Sequence, residues 1–139
     1  MPYFGSASMA NLVTCSENLQ LICKEAIQII DFSVLEGHRT IKKQEEYFKQ
    51  GRSKLDGVTI KSKHQSSPSR AVDIMPYPAI LGGANVWEDT RRFYVLAGVI
   101  MAVSHSLSIL LRWGGDWDSD QNFTEQSFND LPHFELMGK

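Results

Sequence analysis

The feature that most constrains this chain is "FYVLAGVIMAV", an unbroken apolar run of eleven residues from Phe93 to Val103. A helix crossing a bilayer needs about twenty such residues, so this segment must be covered by the rest of the same protein. Phe93, Leu96, Ala97, Ile100 and Val103 recur at helical spacing, which predicts a buried helix over roughly residues 88–106. A chain of 139 residues can wrap one core around such a helix and is too short for two comfortable ones, so a single domain over 1–139 is expected.

The remaining elements are short. Leu19, Ile22, Cys23, Ala26 and Ile30 predict a helix over about 16–30, with Thr14 and Glu17 fitting a capping box. "DFSVLEG" reads as a strand, and Thr40 caps a helix "IKKQEEYFKQ" that stops at Gly51. "AVDIMP" is a strand closed by Pro76 and Pro78, "AILGGANVW" a loop, "ILLRW" and "HFELM" two further strands. Helices and short strands in mixed order imply an α+β fold, a small and mostly antiparallel sheet packed with helices.

Charge and cysteines narrow the function. Fourteen basic and sixteen acidic side chains leave a net charge of −2 with no basic block, so a nucleic-acid partner has no electrostatic support. Cys15 and Cys23 lie in a segment that reads as helical, where eight residues would set them about 12 Å apart, too far to pair, and they are read as buried free thiols. The amino-terminal "MPYFGSASMANL" has neither a charged start nor a continuous apolar stretch, so no signal peptide and no membrane insertion are expected.

Four histidines are present. His105 sits on the apolar helix and reads as a core or helix-end residue, and His38 as a surface one. His64 and His133 have carboxylate company: Asp73 follows His64 on a strand, and Asp130 and Glu135 flank His133 in "DLPHFEL". A catalytic zinc takes three such ligands and leaves a position for water, with a spare carboxylate to accept the proton. His64, Asp73 and His133 would supply the ligands and Asp130 the base, held at a fixed offset by Pro132. Spacing alone leaves a second reading open, a histidine hydrogen-bonded to an aspartate in a loop.

"SKHQSSPSRAVDIMP", "RWGGDW" and "DLPHFEL", in that order, resemble the signature segments of the M15 zinc peptidases. The closest likeness is to phage endolysins that cut the L-alanyl–D-glutamate bond of peptidoglycan stems. "VLEGHRTIKKQEEYFKQGRS" resembles the same family's upstream segment. The resemblance implies Zn2+ held by His64, Asp73 and His133, Asp130 as catalytic base, and Arg39 steadying a substrate carbonyl or oxyanion. It also implies Ser62 as a substrate or supporting contact. Trp113 and Trp117 read as substrate wall or core packing, Asp116 as a carboxylate orienting a ligand histidine, and Glu135 as a supporting residue. Taken alone, Arg39 would read as a surface ion pair with Glu36 or Glu45.

The partner implied is a peptidoglycan stem peptide, met by a monomer that waits in the host cytoplasm until a separate protein opens the way to the wall. Two other functions fit the same residues: a D-alanyl-D-alanine carboxypeptidase or dipeptidase of the family, and a non-catalytic zinc-stabilised wall-binding module. Asp130 speaks against the second, since a structural zinc site closes with four ligands and needs no spare base. The chain departs from the family pattern in the His64–Asp73 interval, longer by two residues, with Ser69 in place of a glycine. The extra "SPS" is expected to alter the substrate groove.

Overall fold

The computed structural model describes residues 2–124 and 129–138. In chain order its elements are α1 (Ser6–Leu12), α2 (Glu17–Ala26), β1 (Phe32–Glu36), α3 (Ile41–Lys49), a 3-10 turn (Lys63–Gln65), β2 (Ala71–Pro76), β3 (Ile80–Leu81), β4 (Ala84–Asn85), α4 (Arg91–Ser106), β5 (Leu111–Trp113) and β6 (His133–Leu136). Four strands form one sheet in the order β1-β2-β6-β5, antiparallel at every pairing. This is the α+β arrangement that the sequence predicts.

Strand alternation divides the sheet into two faces. Val72 and Ile74 of β2, Phe134 and Leu136 of β6, and Leu111 and Trp113 of β5 join the core with α2 and α4. The residues between them face the other way: Asp73 stands opposite His133, and Arg112 opposite Glu135. One irregularity brings β1 into this polar face. Val34 pairs with Ile74, but Glu36 pairs with Asp73, so Leu35 is an extra residue in the ladder. Such a bulge re-aims the residues beyond it, and here it sets Glu36 beside Asp73.

The structure departs from the sequence reading at four places. A short helix, α1, precedes the first expected one. Its Ser8 Oγ accepts the Val34 N–H at 3.0 Å, and Asn11 Nδ2 donates to the Val34 and Leu35 carbonyls, so it is stabilised by β1 and not by its own periodicity. The capping box at Thr14 does not form. Ser16 is the residue before α2, while Thr14 Oγ1 donates to Asn11 O and accepts the His38 N–H at 2.8 Å. α2 ends at Ala26, and the chain turns before β1. The segment read as the loop "AILGGANVW" contains a hairpin, β3 with β4, turned by Gly82 and Gly83 at positive φ.

Candidate metal centre

His64 is positioned by the 3-10 turn. Ser62 opens that turn, its hydroxyl accepting the His64 N–H at 3.2 Å while Gln65 Oε1 accepts the Ser62 N–H at 2.8 Å. The His64 ring then reaches back to Gly37, whose carbonyl accepts from Nδ1 at 2.7 Å. Only glycine fits at position 37, because a Cβ there would lie 2.2 Å from Thr14 Oγ1 and 2.6 Å from Asn11 O.

His133 begins β6 and is fixed by the turn before it. Its N–H donates to Asp130 O at 3.0 Å, Asp130 N–H to Gly114 O at 2.9 Å, and Gly114 N–H to His133 O at 2.8 Å. Pro132 O accepts from Ile74 N–H at 2.9 Å, which ties the turn to β2. The second ring nitrogen, Nε2, lies 2.8 Å from Glu135 Oε1.

The outcome is a triangle of facing atoms. His64 Nε2 is 3.1 Å from Asp73 Oδ1 and 3.2 Å from His133 Nδ1, and His133 Nδ1 is 3.2 Å from Asp73 Oδ1. Because Gly37 O and Glu135 each take a proton from the far side of a ring, neutral histidines turn two lone pairs and a carboxylate oxygen toward one point. Such a cluster requires a positive charge. Ligands about 2.0–2.1 Å from a tetrahedral zinc stand about 3.3 Å apart, so the triangle has a suitable size as well as suitable donors. The same demand appears in the titration of the groups. Burial disfavours the cation of His133, yet the bonds to Asp73 and Glu135 and the charge of Asp130 raise it to about 9. Burial would raise Asp73, but His133 and His64 hold it far below the usual carboxylate range. Glu135, with burial again opposed by His133 and Arg112, falls to about 2.

The other expected residues fall into two groups. Asp130, Arg39, Ser62 and Trp117 line one groove of about 850 Å³ with the three facing residues. Asp130 Oδ2 stands 3.9 Å from His133 Nδ1, and burial together with the charge of Asp73 raises its carboxyl above the ordinary aspartate value. Arg39 is buried: Nε donates to Glu36 Oε1 at 2.8 Å, Nη1 to Gln44 Oε1 at 2.7 Å, and Nη2 approaches Asp73 Oδ2 at 3.6 Å. It pairs with Glu36, and as an interior pair beside Asp73 instead of a surface one. Trp117 lies against the His133 ring, centroids 5.5 Å apart.

Trp113 corrects the expectation of a substrate wall. It is on the core face of β5, 4% exposed, with its ring stacked on Phe134 and its Nε1 donating to Leu131 O at 2.7 Å. Asp116 likewise orients neither histidine. Its carboxylate accepts the Gln121 N–H at 2.9 Å and forms, with Asp118 and Asp120, a separate acidic group. The longer "SPS" loop lies away from the groove lining: Ser69 is fully buried and exchanges backbone hydrogen bonds with Thr14 and Ser16 at 2.9 Å.

Two contributors were not singled out from the sequence. Gln44, the buried residue of α3, accepts from Arg39 and donates to Ser53 Oγ at 2.8 Å and Leu55 O at 2.7 Å. The signal was there in outline, since "IKKQEEYFKQ" has almost no apolar face for burial. The Gly37 carbonyl had no signal, because its role depends on where the chain passes.

Two comparisons with known proteins cover nearly the whole chain. The model of the family described as phage L-alanyl-D-glutamate peptidase matches residues 2–137. The solved structure of the L-Ala D-Glu endopeptidase ChiX of Serratia marcescens is similar over 98% of this chain and 91% of its own, with a TM-score of 0.72 and 27% identity.

Proposed function

Since the chain belongs to the phage L-alanyl-D-glutamate peptidase family, we propose that it is a zinc-dependent peptidoglycan hydrolase that cleaves the L-alanyl–D-glutamate bond of the stem peptide, acting as a phage endolysin. His64, Asp73 and His133 would hold the ion. When bound, zinc supplies Lewis acidity toward a carbonyl and brings the pKa of a water to about 7.

The chain's own groups do the rest. Asp130 receives the proton of the attacking water and delivers it to the departing amine of D-glutamate. Its raised proton affinity suits a group that must both accept and release a proton, although a bound cation would draw it back down. Arg39 approaches Asp73 at 3.6 Å and lines the groove, where its guanidinium can steady a developing oxyanion. Glu135 keeps His133 in the tautomer that presents Nδ1. Trp117 shields that ring on the groove side. Ser62 orients His64 through its backbone.

The observation that carries this reading is the three-donor triangle with edges of 3.1–3.2 Å and a carboxylate at 3.9 Å. The test is to digest purified muropeptides with the zinc-loaded protein and identify the new termini by mass spectrometry. Products ending in L-alanine and beginning with D-glutamate are expected. Release of free D-alanine would establish a carboxypeptidase in its place, and unaltered muropeptides would overturn a peptidase altogether. A chelator should abolish cleavage and zinc should restore it.

A further inference from the structure

The groove is lined by more cations than the metal site uses, and all but a few are already paired. Lys43 meets Glu36 at 2.9 Å, and Lys63 and Arg112 meet Glu135 at 3.3 and 2.8 Å. Arg52 differs. It lines the same groove, and among the described residues it has no carboxylate partner, yet it is held in place.

Two features fix it. Gly51, at φ 72°, ends α3; its N–H donates to Phe48 O at 3.1 Å and the Arg52 N–H to Tyr47 O at 2.9 Å. That paired closure sets the backbone at Arg52. The guanidinium then lies over the Tyr47 ring, 4.3 Å from its centroid. The same ring carries the Arg39 guanidinium at 4.6 Å, and Arg39 in turn approaches Asp73. One aromatic ring therefore connects a cation beside the metal ligands with a cation that has no carboxylate partner among the described residues. A planar donor fork, preset on an aromatic platform and lacking an internal partner, is built to receive a carboxylate from outside.

This inference rests on the peptidase reading above. A D-glutamate whose amine lies in the scissile bond has two carboxyl groups, and the stem continues through only one. The other is a free carboxylate a few bonds from the reacting carbon. We propose that Arg52 is a specificity-determining residue that binds this free carboxylate through a two-pronged guanidinium contact. In the sheet order, β1 lies on one side of the Asp73–His133 pair and β5 on the other. The D-glutamate half of the substrate is thereby directed towards α3 and the L-alanine half towards Trp117.

The experiment compares two stem peptides that differ only at that position, one with the free carboxylate and one with a carboxamide. The ratio of their kcat/KM values is measured for the zinc-loaded protein and for R52Q, R52K and K61Q. Lys61 is included because it also lines the groove. The unaltered protein should favour the acid by about 10–100-fold, the range for a charge-assisted pair. R52Q should bring the ratio to near one, chiefly through KM, R52K should keep part of it, and K61Q should keep it whole. A ratio unchanged in R52Q, a ratio near one in the unaltered protein, or a collapse in K61Q would each overturn the assignment. If neither peptide were cleaved, the peptidase reading itself would fall, and this assignment with it.

Discussion

His64 Nε2 and His133 Nδ1 face each other at 3.2 Å, while the second nitrogen of each ring is committed to a different acceptor, the Gly37 carbonyl and the Glu135 carboxylate. The two rings come from a 3-10 turn and a strand 69 residues apart, and each is oriented from behind. The facing pair is thus preset by its surroundings, and the centre should respond differently to loss of a donor, of an orienting group or of the base.

Loss of the base should separate metal binding from turnover. In Asp130→Asn the three donors are untouched, so zinc content by elemental analysis should remain near one per chain. Turnover should fall by about 10²–10⁴-fold. Near-normal turnover would remove Asp130 from the mechanism.

Loss of an orienting group should weaken the metal without removing a donor. Glu135→Gln keeps the shape of the side chain but gives up the ionised acceptor behind His133, and metal affinity should fall by about 10–100-fold. Competition with a chromophoric chelator reads this directly. Affinity equal to that of the parent would show that the His133–Glu135 contact does not orient the ring.

A methyl group at position 114 should displace the base. The added Cβ of Gly114→Ala would stand 2.1 Å from the backbone oxygen of Asp130 and 2.9 Å from its Cβ, so the turn carrying Asp130 must move. Misplacement of a reacting group by about 1 Å costs on the order of 10²-fold, and turnover should drop accordingly with zinc retained. Gly98→Ala is the comparison: its Cβ meets nothing within 4 Å, and turnover should hold. Equal activity of the two variants would contradict the close approach.

Gln44 should matter for stability. It is fully buried, and Gln44→Ala leaves an Arg39 N–H and the Leu55 carbonyl without their partner. A cost of about 1–3 kcal/mol is expected from urea denaturation. A change below about 0.5 kcal/mol would mean that water or a neighbour replaces the amide.

Asp56 should give the groove-side loop an acid limit. Its carboxylate accepts the Thr59 hydroxyl at 2.6 Å and the N–H groups of Val58, Thr59 and Ile60 at 2.8–2.9 Å. Led by the Thr59 bond, these lower it to about 2 from the ordinary 3.8. A folded value below the unfolded one means that the stabilisation is complete above about pH 4 and is lost as pH falls through about 2. The difference in urea midpoint between the parent and Asp56→Asn should therefore be greatest at about pH 5 and vanish near pH 2. A difference constant across that range would refute the carboxylate's role.

Much of this was legible in the residues. The apolar run marked α4, and Leu96 and Ile100 are buried in the core. "AVDI" and "HFEL" alternate, so Asp73 and His133 were fixed opposite to Val72 and Phe134 before any pairing was known. Thr40 and Gly51 bounded α3. Periodicity reports burial along one element, which is why these succeed. Trp113 stayed open because a tryptophan beside two glycines reads equally well as groove wall or core, and alternation along β5 decided for the core.

What the sequence by itself determined, then, was the set of donors, the spare carboxylate and the strand faces that carry them. Their convergence was decided by tertiary structure. The Leu35 bulge turned Glu36 onto the face of Asp73, the register of β2 with β6 set Asp73 opposite His133, and the passage of Gly37 beneath His64 chose its tautomer. Each of these depends on backbone groups from segments distant in the chain. A backbone carbonyl is the same in every residue, so no side-chain pattern announces which one a histidine will meet.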